Sequence, residues 1–394
     1  MSLFDGARAR LALLALALVV VLVVGVVWRS SRSPESGDNA DTAAAAGVGM
    51  GGTFDQVAYE GLGTWVDVFD FAPAYQEGGL APPITPDDMA AMAGLGVKTL
   101  YLQAARLDDR SPEGIVDRDL IGRFLQAAHE QGIRVVGWYL PKFAALDADA
   151  KRLDLIVDFE WNGHRFDGIT VDIEDVENVP DGAERNTRLI ELSRRRWWRP
   201  DRPCREGAGV LPPVQIEVVN LAYWPGFPWK ELAPYYDVWL PMAYWSFRNE
   251  ESDYKDGYTY VEESVRRLRA NLGEPEALVH PIGGIGDAIT EGELRDYLRA
   301  LTDTDALGGS IYDYRTMNGG HWGVLRGTEA ALAAPPPPPT TLAPPPTTLA
   351  PPVTTAPGST TAPSDATTLP PATTAAPPGY TTAPSSTPAV TVTP

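Results

Sequence analysis

RFDGITVDIED, residues 165–175, alternates apolar and polar side chains over the length of one strand. A two-residue period puts Ile169, Val171 and Ile173 on one face and Thr170, Asp172 and Glu174 on the other. The apolar set would pack on surrounding helices, which turns the polar set toward the axis of a closed sheet. Burying two carboxylates there is costly unless they are hydrogen-bonded or used in chemistry. Like charges so close also push one pKa upward, as a general acid working near neutrality requires.

Outward from this strand the same alternation of short apolar runs and amphipathic stretches continues in both directions. Strands are expected at 63–71, 97–105 and 133–141 before it, and at 214–220, 237–245, 277–286 and 306–314 after it. Helical periodicity fills the gaps: 119–132, 148–161, 184–198, 260–273 and 290–301, with a Thr85-Pro86-Asp87 helix start early on and a short helix at 229–235. Eight strands alternating in order with helices predict an α/β fold, a (β/α)8 TIM barrel over 62–333. The competing open, doubly wound sheet would carry a GxGxxG or phosphate loop after a strand, and neither is present in the sequence.

The two ends differ from this domain. Residues 1–10 read as a cytoplasmic N-terminus, and 11–28 form an uncharged apolar run flanked by arginines, the pattern of a transmembrane signal anchor. Residues 29–61, rich in Ser, Ala, Gly and Asp, are expected to be a flexible linker. Residues 334–394 repeat Pro, Thr and Ala and predict a disordered tail with the composition of a glycosylated stalk. Together these place the barrel and tail outside the cytoplasm, held to the cell membrane by a single span.

The net charge of −20 disfavours nucleic acid as a partner and suits a neutral or cationic ligand. The single cysteine, Cys204, permits no intrachain disulfide. Four histidines, His129, His164, His280 and His321, have no metal-ligand spacing, so neither a metal nor another cofactor is expected. His280 on the seventh strand reads first as a core histidine.

Chemistry in a barrel gathers at the C-terminal strand ends. Those ends carry Asp67 and Asp70, Trp138 and Tyr139, Asp172 and Glu174, Glu217, Tyr244 and Trp245, and Tyr312 and Asp313. Aromatic faces suit sugar rings, while carboxylates bond hydroxyls or move protons. Of these, Asp67, Trp138, Tyr139, Glu217, Trp245, Tyr312 and Asp313 are the expected substrate-binding residues.

The segment Asp167-Gly168-Ile169-Thr170-Val171-Asp172-Ile173-Glu174 resembles the fourth-strand DGxDxDxE motif of glycoside hydrolase family 18, the chitinases and endo-N-acetylglucosaminidases. Thr170 stands where that family has Asp or Asn. Met242-Ala243-Tyr244-Trp245 resembles its sixth-strand Met-x-Tyr-Asp, with Trp for Asp, and GGSIYDY at 308–314 resembles its GGxMxW, with Tyr312 for Trp. The resemblance implies that Glu174 is the general acid, that Asp172 orients the substrate's acetamido group, and that Tyr244 hydrogen-bonds that group as it attacks the anomeric carbon. Such a route needs no protein nucleophile.

The expected function is therefore a glycosidase acting on a GlcNAc-containing cell-envelope or environmental polysaccharide. A version with two protein carboxylates would pair Glu174 with Glu217, Asp67 or Asp313. The alternative class is a non-catalytic, lectin-like barrel displayed at the cell surface, and a third is a wall-spanning scaffold with no saccharide affinity.

Overall fold

The computed structural model describes residues 56–197, 206–249 and 252–336. The N-terminal segments at 1–10 and 11–28 lie outside them, as does the tail from 337 onward. Among the described residues no helix is long and apolar enough to cross a membrane.

Nine parallel strands form one curled sheet: β1 (Gly61–Val66), β2 (Thr99–Gln103), β3 (Arg134–Tyr139), β4 (Gly168–Ile173), β5 (Gly207–Val210), β6 (Val238–Pro241), β7 (Leu278–Val279), β8 (Ile282–Ile285) and β9 (Gly308–Tyr312). Their order is β7-β6-β5-β4-β3-β2-β1-β9-β8. β7 and β8 are two halves of the expected seventh strand, separated by His280 and Pro281, whose ring nitrogen has no hydrogen to give a ladder. A bridge between Met242 and Ile282 ties β8 to the end of β6 and closes the ring. The architecture is a TIM-barrel-like α/β fold, and nearly every strand position is buried, as a parallel sheet covered by helices demands.

The helices begin where their sequences supply caps. Asp117 accepts from the Leu120 amide at 2.9 Å to open Arg118–Glu130, and Thr290 with Glu293 forms a capping box on Glu291–Asp303. Gly273, at φ 74°, ends Gly257–Leu272 in the left-handed conformation.

One strand is not where the sequence pattern puts it. Residues 214–220 are β-branched and alternate, yet Gln215–Val219 is a helical turn, and the fifth strand is Gly207–Val210. Pro212 and Pro213 stand between the two segments, and prolines cannot donate to a ladder. The domain also starts earlier than composition suggests. Gln56–Tyr59, assigned above to the linker, forms a 3-10 turn that seals the N-terminal end of the barrel. Tyr59 donates its hydroxyl to the Ile169 carbonyl at 3.0 Å, and its own carbonyl accepts from His280 Nδ1 at 2.8 Å. Thr99 donates to the Ala58 carbonyl at 2.9 Å. Burial pushes the His280 imidazole down to about 4, so it sits as a neutral core donor.

Candidate functional site

The interior is built in layers. Gly63, Trp65, Tyr101 and Ser310 fill its middle, with the Trp65 indole stacked on Tyr101 at 4.3 Å and donating to Ser310 at 2.9 Å. Gly63 is required there, because a Cβ would stand 2.6 Å from the Tyr101 ring. Above this layer, at the C-terminal ends, Trp138 meets Trp65 edge-on at 5.9 Å, and Tyr312 lies 6.5 Å from Trp65 and 6.3 Å from Tyr244.

β4 alternates as its sequence predicts. Thr170, Asp172 and Glu174 are on the inner side, and Asp172 and Glu174 are 0% and 1% exposed. Neither oxygen of Asp172 has a hydrogen-bond partner, nor does Oε1 of Glu174. Gly209 is the register partner of Asp172 and places no side chain beside that carboxylate. Burial, and then the Glu174 charge, hold Asp172 well above the ordinary carboxylate range. Burial raises Glu174 likewise, opposed by the Lys142 ammonium and reinforced by Asp175. Tyr244 faces this pair: burial, followed by the charges of Glu174, Asp172 and Asp313, raises its phenol strongly.

Opposite them, Tyr312 donates to Asp67 Oδ2 at 2.7 Å, and Asp67 caps the Val68–Phe71 turn through the Phe69 amide at 2.7 Å. Asp67, Asp70 and Asp313 bring carboxylate oxygens within 4.8 Å of one another, a set that could offer oxygen ligands to a hard cation. The Arg315 guanidinium already holds Asp70 Oδ1 at 3.0 Å. Burial, and then the Asp67 charge, raise Asp70 and Asp313 above the usual carboxylate range, and burial raises Asp67.

Asp172, Glu174, Tyr244, Tyr312, Asp313, Asp67 and Trp138 thus gather at one mouth. Three other expected site residues do not. Tyr139 points to the helical layer, where its hydroxyl donates to the buried Asp149 at 2.6 Å. Trp245 lies against Gly283 and Gly284 and tilts over Tyr297 at 5.6 Å, wedged between β8 and the outer helices. Glu217 sits on the Gln215–Val219 turn and accepts from Trp229 Nε1 at 2.9 Å and from Asn271 Nδ2 at 2.5 Å. The first acid of the DG motif, Asp167, is at the sealed end, bonded to His129 and the Val135 amide.

Sequence reading missed three groups at the mouth. Lys142, just past β3, pairs with the fully buried Asp175 at 2.8 Å. Tyr223, on the loop after β5, has a buried hydroxyl with no partner, and burial and the nearby Glu174 raise it. Gln103 at the end of β2 accepts from the Val68 amide at 3.1 Å and leaves its Nε2 unbonded. Gln103 and Lys142 are single polar residues at or just past a strand end and Tyr223 lies on a loop, so no periodicity marks them.

No family model matches the sequence, and no curated protein matches it either. Solved structures do resemble it. An endo-β-1,4-mannanase from Thermotoga petrophila is similar at TM-score 0.50 and 12% identity, over 71% of this chain and 78% of that one. A GH18 chitinase from Pseudoalteromonas aurantia has TM-score 0.46 and 16% identity, over 69% of this chain and 100% of that one. A group IV chitinase from Ostrinia furnacalis, solved with allosamidin, has TM-score 0.46 and 11% identity over 70% and 99%. The likeness is one of fold, that of a TIM barrel.

Proposed function

We propose that this barrel is a glycosidase acting on a GlcNAc-containing polysaccharide of the cell envelope or environment. Glu174 is its general acid, protonating the glycosidic oxygen. Asp172 orients the acetamido group, and Tyr244 hydrogen-bonds that group as it attacks the anomeric carbon. A carboxyl held protonated by burial is a proton donor near neutrality. The observation that supports this reading best is the unmet hydrogen-bonding capacity of Asp172 and Glu174 inside the mouth. Buried polar atoms without protein partners are rare, and a hydroxyl- and amide-bearing ligand would supply what they lack. Trp138 and Tyr312 stand at the same end of the barrel, and aromatic faces suit sugar rings.

The test is release of product from GlcNAc oligomers and muropeptides by the parent and by Glu174→Gln, which should keep the fold and lose hydrolysis. Equal turnover in both would remove Glu174 from the mechanism. Binding without turnover by the parent would favour the second reading, a lectin-like barrel. That reading draws support from Thr170 on the motif strand, from the outward wedge of Trp245, and from the 1% exposure of Glu174.

The charge-free run at 11–28 and the Pro/Thr tail support a surface-displayed protein anchored by one span, with barrel and tail extracytoplasmic. Protease added to intact cells should then remove the barrel, and full protection would exclude that topology.

A further inference from the structure

The sealed end carries a histidine pair that the proposed reaction does not use. His129 Nδ1 and His164 Nδ1 stand 3.0 Å apart, with ring centroids at 5.2 Å and planes 32° from one another. His129 Nε2 meets Asp167 Oδ2 at 3.0 Å, and the Val135 amide donates to that same oxygen at 2.7 Å. Both imidazoles are half-buried and within reach of solvent, whereas His280 and His321 are buried.

Local structure brings the pair together. Trp161 and His164 exchange backbone hydrogen bonds at 3.0 and 2.9 Å. Between them Asn162 and Gly163, at φ 50° and 84°, make the tight turn of a hairpin. Trp161 closes over Gly122 of the helix Arg118–Glu130, where a Cβ would stand 2.2 Å from the indole. Its Nε1 also donates to Asp119 at 3.1 Å on that helix. His129 lies two turns beyond Gly122 on the same helical face. The docked hairpin therefore delivers His164 to His129, a meeting that no ligand spacing in the sequence announces.

The protons follow from the partners. A carboxylate only accepts, so His129 donates to Asp167 from Nε2 and turns its Nδ1 lone pair toward His164. Burial, and then the His129 charge, lower His164, which favours a neutral ring donating from its own Nδ1. An ion held by both nitrogens at about 2.0–2.1 Å in tetrahedral geometry would set them about 3.3 Å apart. A parting of about 0.3 Å gives that geometry. His164 then carries its proton on Nε2, so neither ring loses one. A carboxylate behind a ligating imidazole fixes its tautomer and raises its basicity, which is the place Asp167 occupies.

We propose that His129 and His164 form a binding site for a divalent cation of the zinc class, with Asp167 orienting His129 from behind and water completing the ion's shell. Bound there, the ion would tie the helix Arg118–Glu130 to the hairpin that leads into β4. The proposal stands apart from the glycosidase reading, whose residues lie at the other end of the barrel.

The test uses the full chain without a histidine tag. Calorimetric titration should show one Zn²⁺ bound to this pair, and one equivalent of Cu²⁺ should give a paramagnetic resonance spectrum coupled to two imidazole nitrogens. His164→Gln, on the half-exposed hairpin, should weaken Zn²⁺ at least tenfold and remove one nitrogen coupling. Asp167→Asn leaves both ligands in place and should weaken Zn²⁺ about 10–100-fold. The carboxylates of Asp67, Asp70 and Asp313 favour harder cations and should respond to neither change. Zn²⁺ uptake equal in the parent and His164→Gln, or absent from the parent, would overturn the proposal and leave the pair a hydrogen bond only. If Asp167→Asn does not fold, His164→Gln decides alone.

Discussion

The two ends of the barrel are equally buried and made of similar residue types, but they treat their polar groups in opposite ways. At the sealed end, Tyr59, Thr99 and His280 each have a partner, and Asp167 takes two hydrogen bonds. At the mouth, Asp172, Glu174, Gln103, Trp138 and Tyr223 all leave buried polar atoms without one. Single unbonded polar atoms also occur elsewhere among the described residues, on Thr64, Trp239, Trp245, Arg248, Ser264 and His321, but the acids Asp172 and Glu174 are at the mouth. Burial alone therefore does not mark a site in this fold. What separates foundation from site is whether burial has been compensated.

The sharpest way to break this contrast is to exchange one atom at the mouth. Glu174→Gln preserves size and removes the transferable proton, so hydrolysis of GlcNAc oligomers should fall about 10²–10⁴-fold while the thermal transition stays cooperative. The matching change at the sealed end has the opposite profile. Tyr59→Ala empties a fully buried site and strips the Ile169 carbonyl of its donor, costing about 3–5 kcal/mol in urea unfolding. Saccharide binding by the folded fraction should be unchanged. A binding loss in Tyr59→Ala comparable to that at the mouth would mean that the two ends are not separate in function.

Much of this division was legible in the chain. The two-residue period of 165–175 correctly turns Asp172 and Glu174 inward, because a strand buried on both faces admits only one polar side. The same rule applied to Trp138–Tyr139 allows one inward residue, and the structure takes Trp138; Tyr244 and Trp245 lie beyond β6, at the start of a 3-10 turn, outside the reach of that rule. The fifth strand was illegible for a physical reason. Gly207-Ala208-Gly209-Val210 carries almost no apolar signal, because Gly207 and Gly209 lie opposite Thr170 and Asp172. Lys142, Asp175 and Tyr223 act through tertiary contacts that no local period encodes.

A smaller effect tests whether the mouth's unmet polar groups lower stability. Asp172 has a folded-state pKa raised above its unfolded value. Its contribution to stability is therefore complete below the unfolded value near 4 and is lost as pH rises through the folded one. Asp172→Asn stays neutral and escapes that loss. It should gain about 1–3 kcal/mol over the parent at neutral pH, seen as a rise of a few degrees in Tm, and the gap should close in acid. A gap independent of pH would show that Asp172 is not the titrating group.

The smallest expected effect concerns the edge of the site. Glu217 is a mouth carboxylate only if residues 214–220 form a strand, and they do not. On the Gln215–Val219 turn it instead joins Trp229 and Asn271 in the outer layer, with Arg267 4.0 Å away and its side chain 29% exposed. A glutamine there still accepts from both donors and loses only a half-exposed charge. Glu217→Gln should cost less than about 1 kcal/mol in denaturant unfolding. Affinity for GlcNAc oligomers, read by calorimetry, should stay at the parent value, because no proposed substrate contact passes through this side chain. A clear loss of affinity would extend the mouth across the turn and make the outer layer part of the site, which the hydrogen bonding of Glu217 argues against.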